Sequence, residues 1–190
     1  MGTTLEFYDF MLYAVFLEII GNEYFPGNDY QTNQIFGYIG FIAALIMRPF
    51  GASVFGHIGD RFGRRKALIL SISLMGIPTF IIGIMPSYAS WGVYASIILI
   101  TCRLIQGLCT GGEYNGSAIF ALEHMGKQFP GFTGGLITGA SVIGAFLATG
   151  MGVICCQPWA PDWCWRLAFL LRWACKSCWS VYSSLYRGKP

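Results

Sequence analysis

Two long stretches without a charged side chain constrain this sequence more than any other feature. No Asp, Glu, Lys or Arg occurs from residue 67 to residue 102, or from residue 128 to residue 161. A helix that crosses the hydrocarbon core of a bilayer needs about 20 mostly apolar residues, so each stretch can hold one. Because lipid offers the backbone no hydrogen bonds, a spanning segment must be a helix or part of a closed barrel. Barrel strands are short and alternate in polarity, so these stretches predict helices.

The composition of the whole chain agrees with a membrane protein. Apolar and aromatic residues make up 55% of the 190 residues and charged residues only 11%, whereas a soluble domain averages about 25% charged residues. This balance excludes a water-soluble globule and a disordered chain, and a net charge of +3 does not indicate a nucleic-acid partner. The sequence therefore predicts an all-α membrane protein with five to six transmembrane helices. The predicted spans cover residues 4–20, 35–57, 67–85, 94–122, 132–155 and 165–186.

Basic residues are distributed unevenly among the turns between these spans. The turn at residues 59–66 carries four Lys or Arg residues and the turn after the fourth span carries Lys127, whereas the turns at residues 22–34, 86–91 and 156–164 carry none. Lys and Arg are enriched in cytoplasmic turns. The distribution therefore predicts a multi-pass protein of the cell (inner) membrane with its N-terminus in the cytoplasm.

Ionisable and polar side chains inside the spans are the candidate functional residues, because each is costly at bilayer depth. The first span carries Glu6 and Asp9 on one helical face, with Tyr13 one turn further along. The fourth span carries a single stripe at steps of three, four and three, which consists of Arg103, Gln106, Thr110 and Glu113. The stripe fits a transport role, in which it faces a hydrated cavity, and also a structural role, in which Arg103 neutralises an acid inside the bundle. Arg48 in the second span is interpreted as reaching the cytoplasmic headgroups.

Small residues recur at every fourth position in the fourth and fifth spans. They are Gly107, Gly111, Gly112 and Gly116 in the fourth span, and Gly135, Gly139, Ala140, Gly144, Ala148 and Gly152 in the fifth. This spacing lets two helices approach closely. It is compatible with static packing and with a surface on which helices slide, and we favour static packing.

The turn between the second and third spans is the most specific feature of the sequence. Its pattern consists of Gly56, Asp60, Arg61, Gly63, Arg64 and Arg65. Gly63 permits a positive φ angle. Asp60 is expected to accept hydrogen bonds from free N–H groups at a helix start, where the helix dipole also favours an anion.

This pattern resembles the signature loop between helices two and three of the major facilitator superfamily. The run from Arg103 to Glu113 is similar to the helix-four motif of the same superfamily. Six short sequence motifs, which occur in the family's order over about residues 2–171, resemble its metabolite:proton symporter branch. This branch includes proline/betaine, α-ketoglutarate and citrate carriers. The motifs begin at Leu5, Arg48, Phe55, Arg103, Glu123 and Trp165.

The resemblance implies the N-terminal half of a twelve-helix transporter, with the substrate between two six-helix halves that rock against each other. It implies a proton-coupled symporter of a small metabolite or osmoprotectant such as proline or betaine, whose ligands are protons and a zwitterionic or anionic solute. Glu6, Asp9 and Glu113 would be sites for protons or for a substrate charge, and Arg103 would belong to the proton-coupling machinery.

For the signature loop, the resemblance implies a gate on the cytoplasmic side. Asp60 would keep that side closed by engaging a helix end of the other half. Arg64 or Arg65 would pair with Glu123 at the cytoplasmic end of the fourth span.

The last residues depart from the family pattern. They are rich in Cys, Trp and Ser, and Arg172 and Lys176 would lie at bilayer depth at a cost of about 2.5 to 3.5 kcal/mol each. We expect residues 1–171 to form the N-terminal half with an incomplete last helix, and residues 172–190 to be an aberrant tail that a frameshift or premature stop would explain. A second transporter half would then be a missing partner. The alternatives are a non-functional fragment of such a transporter and an organic-acid symporter of the α-ketoglutarate/citrate type.

The sequence carries no enzyme motif, so neither an enzyme nor a cofactor is predicted. Cys175 and Cys178 have the spacing of half a zinc site, which without a second pair is too weak to predict a metal. Cys155 and Cys164 flank the turn after the fifth span and could form a disulfide, although nothing in the sequence demands one.

Overall fold

The computed structural model describes residues 2–25, 27, 29–125, 130–157, 161 and 163–185. Within these residues all regular secondary structure is helical, which confirms the predicted all-α architecture. The helices are α1 (Gly2–Val15), α2 (Leu17–Tyr24), α3 (Tyr30–Phe62), α4 (Arg64–Ile84), α5 (Tyr88–Trp91), α6 (Val93–Met125), α7 (Pro130–Cys155) and α8 (Cys164–Leu185).

Four helices in the described part of the chain are long and apolar enough to cross a membrane. They cover Tyr30–Phe62, Lys66–Ile84, Val93–Ile119 and Gly131–Cys155. The first predicted span is divided at Phe16 into helices of 14 and 8 residues. Backbone hydrogen bonds from Phe16 N–H to Leu12 O (3.0 Å) and from Ile20 N–H to Phe16 O (2.9 Å) continue across this division. The predicted turn at residues 86–91 contains α5.

The helix α8 runs through the predicted boundary between residues 171 and 172. The structure describes the side chains of α8 up to residue 175 but not those from residue 176 onwards. The interpretation of residues 172–190 as an aberrant tail therefore stays a prediction. That interpretation depends in part on the insertion cost of Arg172, whose contacts are described with the functional site.

The turn that joins α3 and α4 is made by one residue, Gly63. Its φ of 95° lies in the region open to glycine, which confirms the expected positive φ. Asp60 does not cap α4, contrary to expectation, because it belongs to the last turn of α3 and no side chain caps the start of α4. Instead its carboxylate lies 3.9 Å from the Arg64 guanidinium across the turn. We call residues 59–66 the arginine turn.

Glycines bring the backbones of neighbouring helices into contact. A Cβ atom at any of three glycines of the α3–α6 interface would overlap the backbone of the partner helix; these are Gly51 against Leu108, Gly107 against Ala44, and Gly111 against Arg48. In the α1–α7 interface, Gly144 lies against the Thr4 carbonyl and Gly152 against the Val15 side chain. The predicted packing role of small residues is confirmed at Gly107, Gly111, Gly144 and Gly152, and Gly51 is an addition. The helix α4 lies between α6 and α8.

The largest apolar cluster lies at the opposite end of the bundle from the arginine turn, where α7 ends at Cys155 and α8 begins at Cys164. We call this the cysteine end. Tyr24 donates a hydrogen bond from its hydroxyl to Met85 O (3.1 Å) and meets the Trp165 ring edge-on at 6.2 Å. By contrast, large apolar side chains such as Phe50 (60% exposed) and Phe146 (77%) project from α3 and α7. An apolar core and an apolar outer surface together suit a helix bundle in a bilayer.

Candidate functional site

Charged and polar side chains gather at the centre of the bundle, where α1, α4, α6 and α8 meet. Each is at most 3% exposed, and the group consists of Glu6, Asp9, Arg103, Gln106, Glu113 and Arg172. Five of these six residues are predicted from sequence; Arg172 is the addition. Burial of charges is unfavourable unless they are paired and hydrogen-bonded, so their partners determine what the site can do.

Arg172 forms a buried ion pair with Asp9. Its Nε lies 3.5 Å from Asp9 Oδ1, and both side chains are 1% exposed. The same guanidinium donates from Nε to Leu5 O (3.1 Å) and from Nη1 to Thr79 Oγ1 (2.8 Å). Arg172 therefore does not lie unpaired at bilayer depth, and the insertion cost that marked it as aberrant in the sequence is offset by these contacts.

The Thr79 hydroxyl connects the helices of the site. It accepts hydrogen bonds from Arg172 Nη1 and from Gln106 Nε2 (3.0 Å). Its single hydrogen has two acceptors within reach, Met75 O at 3.1 Å and Asp9 Oδ1 at 3.4 Å. Thr79 thereby joins α4 to α6, α8 and α1 through one oxygen atom.

Arg103 completes the network from the α6 side. Its Nη1 donates to Gln106 Oε1 (3.0 Å), and its guanidinium carbon lies 3.3 Å from the centre of the Tyr13 ring. The Tyr13 hydroxyl donates to Gly37 O on α3 (3.2 Å), so the ring is held in place beneath the cation. The Nε and Nη2 atoms of Arg103 are buried without a hydrogen-bond partner.

Glu6 borders a cavity of about 340 Å³ beside the network. The cavity is also lined by Phe7, Arg48, Pro49, Ala52, Thr110 and Gly111. Glu6 interacts electrostatically with Glu113, Arg48 and Arg172. Its Oε2 atom has no hydrogen-bond partner. Arg48 stacks on the Phe10 ring at 4.2 Å. Its guanidinium is partly buried beside the α1 ring and the cavity, and its expected reach to the headgroups stays a prediction.

The arginine turn borders a second cavity, of about 260 Å³, between α3, α4 and α6. Gly56, Asp60 and Arg64 are among its lining residues. The Arg61 guanidinium lies 5.6 Å from the centre of the neighbouring Phe62 ring. The side chains of Arg65 and Glu123 lie outside the described residues, so the expected pairing of Arg64 or Arg65 with Glu123 stays a prediction.

Sequence reasoning missed two members of the network for different reasons. Thr79 sits in a charge-free window and gives no signal of its own. Arg172 does give a signal, a cation in a predicted span, but its partner Asp9 is 163 positions earlier and is brought to it only by the fold. An ionisable residue in a membrane helix is interpreted by default as part of a functional site and as having a partner. This rule would have identified Arg172 as a candidate.

The arrangement can bind charges of both signs. Asp9 Oδ2 and Glu6 Oε2 are buried carboxylate oxygens without a partner, and Arg103 offers two unused N–H donors. A carboxylate can take up a proton or face a cation, and a guanidinium can bind a carboxylate through paired hydrogen bonds. Asp9 and Arg103 are linked by hydrogen bonds through Thr79 and Gln106, so a change of charge on one is felt by the other.

Comparison with protein families gives a match with the sugar (and other) transporter family over residues 1–182. Among known proteins, the chain is 35% identical over 175 residues to the proline/betaine transporter of Salmonella typhimurium, covering 90% of this chain and 35% of the relative. It is also 35% identical to the glycine betaine/proline/ectoine/pipecolic acid transporter of Dickeya dadantii, with the same coverage. Its identity to the shikimate transporter of Escherichia coli is 34%, over 89% of this chain and 40% of that protein.

These relatives are membrane transporters, not enzymes, and the chain corresponds to their N-terminal half. It spans 35% to 40% of the lengths of the three relatives named above.

Proposed function

The chain belongs to the sugar (and other) transporter family, and from this premise we propose that it is the N-terminal half of a proton-coupled symporter. The proposed substrate is a small zwitterionic or anionic metabolite, with proline or betaine preferred. The observation that carries the proposal is the buried Asp9–Arg172 ion pair, which Thr79 and Gln106 connect to Arg103.

The energetics of this pair support a role in transport. Burying two opposite charges yields little net stability compared with an apolar pair of the same volume. Charges inside a membrane bundle are accordingly rare and are associated with pathways for ions, protons or substrates. Three carboxylates, of Glu6, Asp9 and Glu113, and the guanidiniums of Arg103 and Arg172 are buried here, and the Arg48 guanidinium borders the cavity. This is more charge than the packing of apolar helices requires.

In the proposed mechanism, a proton binds the carboxylate of Asp9 and removes its charge. Arg172 then loses its ionic partner, and the network through Thr79 and Gln106 rearranges around Arg103. A substrate carboxylate would bind the free donors of Arg103, and a substrate ammonium group would face Glu6. Proton and substrate would thus be bound together before the two halves rock and expose the site to the other side.

The distribution of basic residues supports one orientation in the membrane. We propose that the arginine turn faces the cytoplasm, since it holds four of the five Lys or Arg residues in the predicted turns, and that the cysteine end faces outwards. In this orientation Asp60 and Arg64 border the cytoplasmic cavity where the second half of the transporter would dock and close the gate. The proposed location is the cell (inner) membrane, since the relatives named above are transporters of bacteria.

A specific observation favours a second substrate class. Arg103 has two buried N–H donors without a partner, and the relative from Escherichia coli that transports shikimate handles a carboxylic acid without an ammonium group. An organic acid would bind Arg103 in the same way as proline. It would leave Glu6 without a cationic ligand.

The test is uptake of labelled proline, betaine and shikimate by cells that lack their own carriers. The chain is expressed alone and together with the C-terminal half of the Salmonella proline/betaine transporter, with and without an uncoupler. We expect uptake that the uncoupler abolishes, with proline or betaine preferred over shikimate. Absence of uptake in both settings, with the chain folded in the membrane, would support a non-functional fragment.

Variants of the ion pair separate a transport role from a structural one. Asp9→Asn or Arg172→Gln alone leaves one buried charge unpaired, which we expect to destabilise the bundle by about 3 to 5 kcal/mol. The double variant contains no unpaired charge and should regain thermal stability but not uncoupler-sensitive uptake. Arg166→Gln is the matched control, because Arg166 lies on the same helix but pairs with Glu23 in a partly exposed site. Recovery of uptake in the double variant would overturn the proposal.

A further inference from the structure

Two thiols meet at the cysteine end of the bundle. Cys155 is the last residue of α7 and Cys164 is the first residue of α8, and their Sγ atoms are 2.6 Å apart. We infer that Cys155 and Cys164 form a disulfide that joins the outer ends of α7 and α8. The inference rests on the proposed orientation, in which this end lies outside the cytoplasm.

The backbone holds both cysteines in place. Cys155 is the last helical residue of α7, and the next N–H, of Cys156, still donates to Gly152 O (2.9 Å). Cys164 N–H donates to Pro161 O (2.8 Å) where α8 begins. The sulfur atoms are therefore brought together by two helix ends, rather than by a chance contact between side chains in open loops.

Their surroundings select this pair among the neighbouring cysteines. Cys155 is buried in the apolar cluster, and Cys164, which is partly exposed, packs against it. Cys156 is next to Cys155 in sequence but is exposed. A pair with one accessible thiol and one buried thiol can react with an oxidant from solution and then close inwards.

A covalent link at this point would connect two parts of the bundle. The helix α7 packs mainly on α1, and α8 packs mainly on α4, while α7 and α8 contact each other only sparsely. The ion pair of Arg166 with Glu23 and the contact of Trp165 with Tyr24 lie on the same few residues of α8. A Cys155–Cys164 bond would extend this attachment of α8 to α7.

The chemistry is a thiol–disulfide exchange with a disulfide-carrying oxidant of the extracytoplasmic space. The thiolate of Cys164 attacks one sulfur of the oxidant and forms a mixed disulfide, and the first oxidant thiolate leaves with the proton from Cys164. The thiolate of Cys155 then attacks Cys164 Sγ, and the second oxidant thiolate leaves with the proton from Cys155. Two cysteine thiols are oxidised and the oxidant is reduced to two thiols. Such bonds persist outside the cytoplasm and are rare inside it.

The experiment counts protected thiols in the full chain expressed in a bacterial host. The protein is denatured in the presence of excess N-ethylmaleimide, so that buried free thiols such as Cys102 and Cys109 are also blocked. After removal of this reagent, a polyethylene-glycol maleimide is added with or without prior reduction. We expect two additions after reduction and none before it. Cys155→Ser and Cys164→Ser should each abolish both additions, and the matched control Cys156→Ser should keep them.

Two results would overturn the inference. One is the absence of additions after reduction in the unmodified chain; the other is their loss in Cys156→Ser with retention in Cys155→Ser. Labelling of Cys156 in intact cells by an impermeant maleimide measures the orientation separately. Transport does not enter either measurement, so a failure of the proposed function and a failure of the disulfide are distinguishable.

A thermal measurement shows whether the bond matters to the fold. In detergent, reduction should lower the unfolding temperature of the unmodified chain by about 5 °C, since a disulfide lowers the conformational entropy of the unfolded chain. Cys164→Ser should begin at the lower temperature and not respond to the reductant. An equal response of both proteins would contradict a structural bond between these residues.

Discussion

The helices α6 and α7 carry the same spacing of small residues but use it differently. In α6, Gly107 and Gly111 lie so close to the α3 backbone that a Cβ atom would overlap it. In α7, Gly144 lies equally close to α1, yet Gly135 and Gly139, at the same spacing on the same helix, have nothing within 4 Å. A stripe of small residues therefore permits the close approach of a second helix but does not show that one is present.

The reason for the difference lies in the helix faces. Thr4 of α1 lies beside Gly144 and Val15 beside Gly152, so α1 packs on the face of α7 that carries these two glycines. Successive helix residues are about 100° apart, so Gly135 and Gly139 point away from that face, towards the side on which Phe132 and Leu136 are 66% and 56% exposed. The partner helices also differ in length: α3 and α6 both have 33 residues, whereas α7 has 26 and α1 only 14.

The largest effect that this comparison predicts is at Gly111. Gly111→Leu places a branched side chain against the Arg48 carbonyl, between two long helices that have little room to separate. We expect a loss of about 3 kcal/mol or more of folding free energy. The measurement is the amount of folded chain in detergent by size-exclusion chromatography, and its unfolding temperature. Gly139→Leu, the same substitution at an open site, serves as the control and should behave like the unmodified chain.

A smaller effect is expected at Gly144. Gly144→Leu collides with the Thr4 carbonyl, but α1 is short and can shift away more easily than α3, so we expect a loss of about 1 to 3 kcal/mol. The shift would move Asp9 relative to Arg172. Uptake per folded molecule, in the same cells as above, should therefore fall more than the unfolding temperature indicates. Unchanged uptake in a destabilised protein would show that α1 does not transmit the collision to the site.

The smallest effect is expected at Gly139. Gly139→Ala adds one methyl group in open space, and alanine is favoured over glycine inside a helix by about 0.5 to 1 kcal/mol. The unfolding temperature of the isolated chain should stay the same or rise slightly. A fall would contradict the open environment of this residue. A loss of uptake only when the C-terminal half is present would sharpen the comparison, because it would place that half against the first half of α7.

Much of the fold could be predicted from the sequence because its determinants are local. Charge-free windows indicate the spans, and Gly63 indicates the tight turn. Asp60 shows the limit of local reasoning: its residue type suits a cap, but α3 continues through it, and the carboxylate pairs with Arg64 instead. The division at Phe16 likewise has no sequence signal, since the apolar run continues through it.

The candidate site could be predicted only where its residues share one helix. The spacing of Glu6 and Asp9, and of Arg103, Gln106 and Glu113, shows that each set lies on one face. It does not show which faces meet. The contact between Asp9 and Arg172 depends on how α1 and α8 are placed, which is set mainly by packing of α1 against α7 and of α8 against α4. Periodicity within a single helix carries no information about that.

The Thr79 hydroxyl determines the direction of the hydrogen bonds in the network. Arg103 and Arg172 can only donate hydrogen bonds, and ionised Asp9 can only accept them. Thr79 receives two and has one hydrogen to give, so the bonds point in one direction, from the two cations towards the acid. If Asp9 takes up a proton, as proposed, its Oδ1 becomes a weaker acceptor, and the Thr79 hydrogen would then favour Met75 O, which lies closer. The site would thus register the charge state of Asp9 in the choice of acceptor at Thr79 before any helix moves.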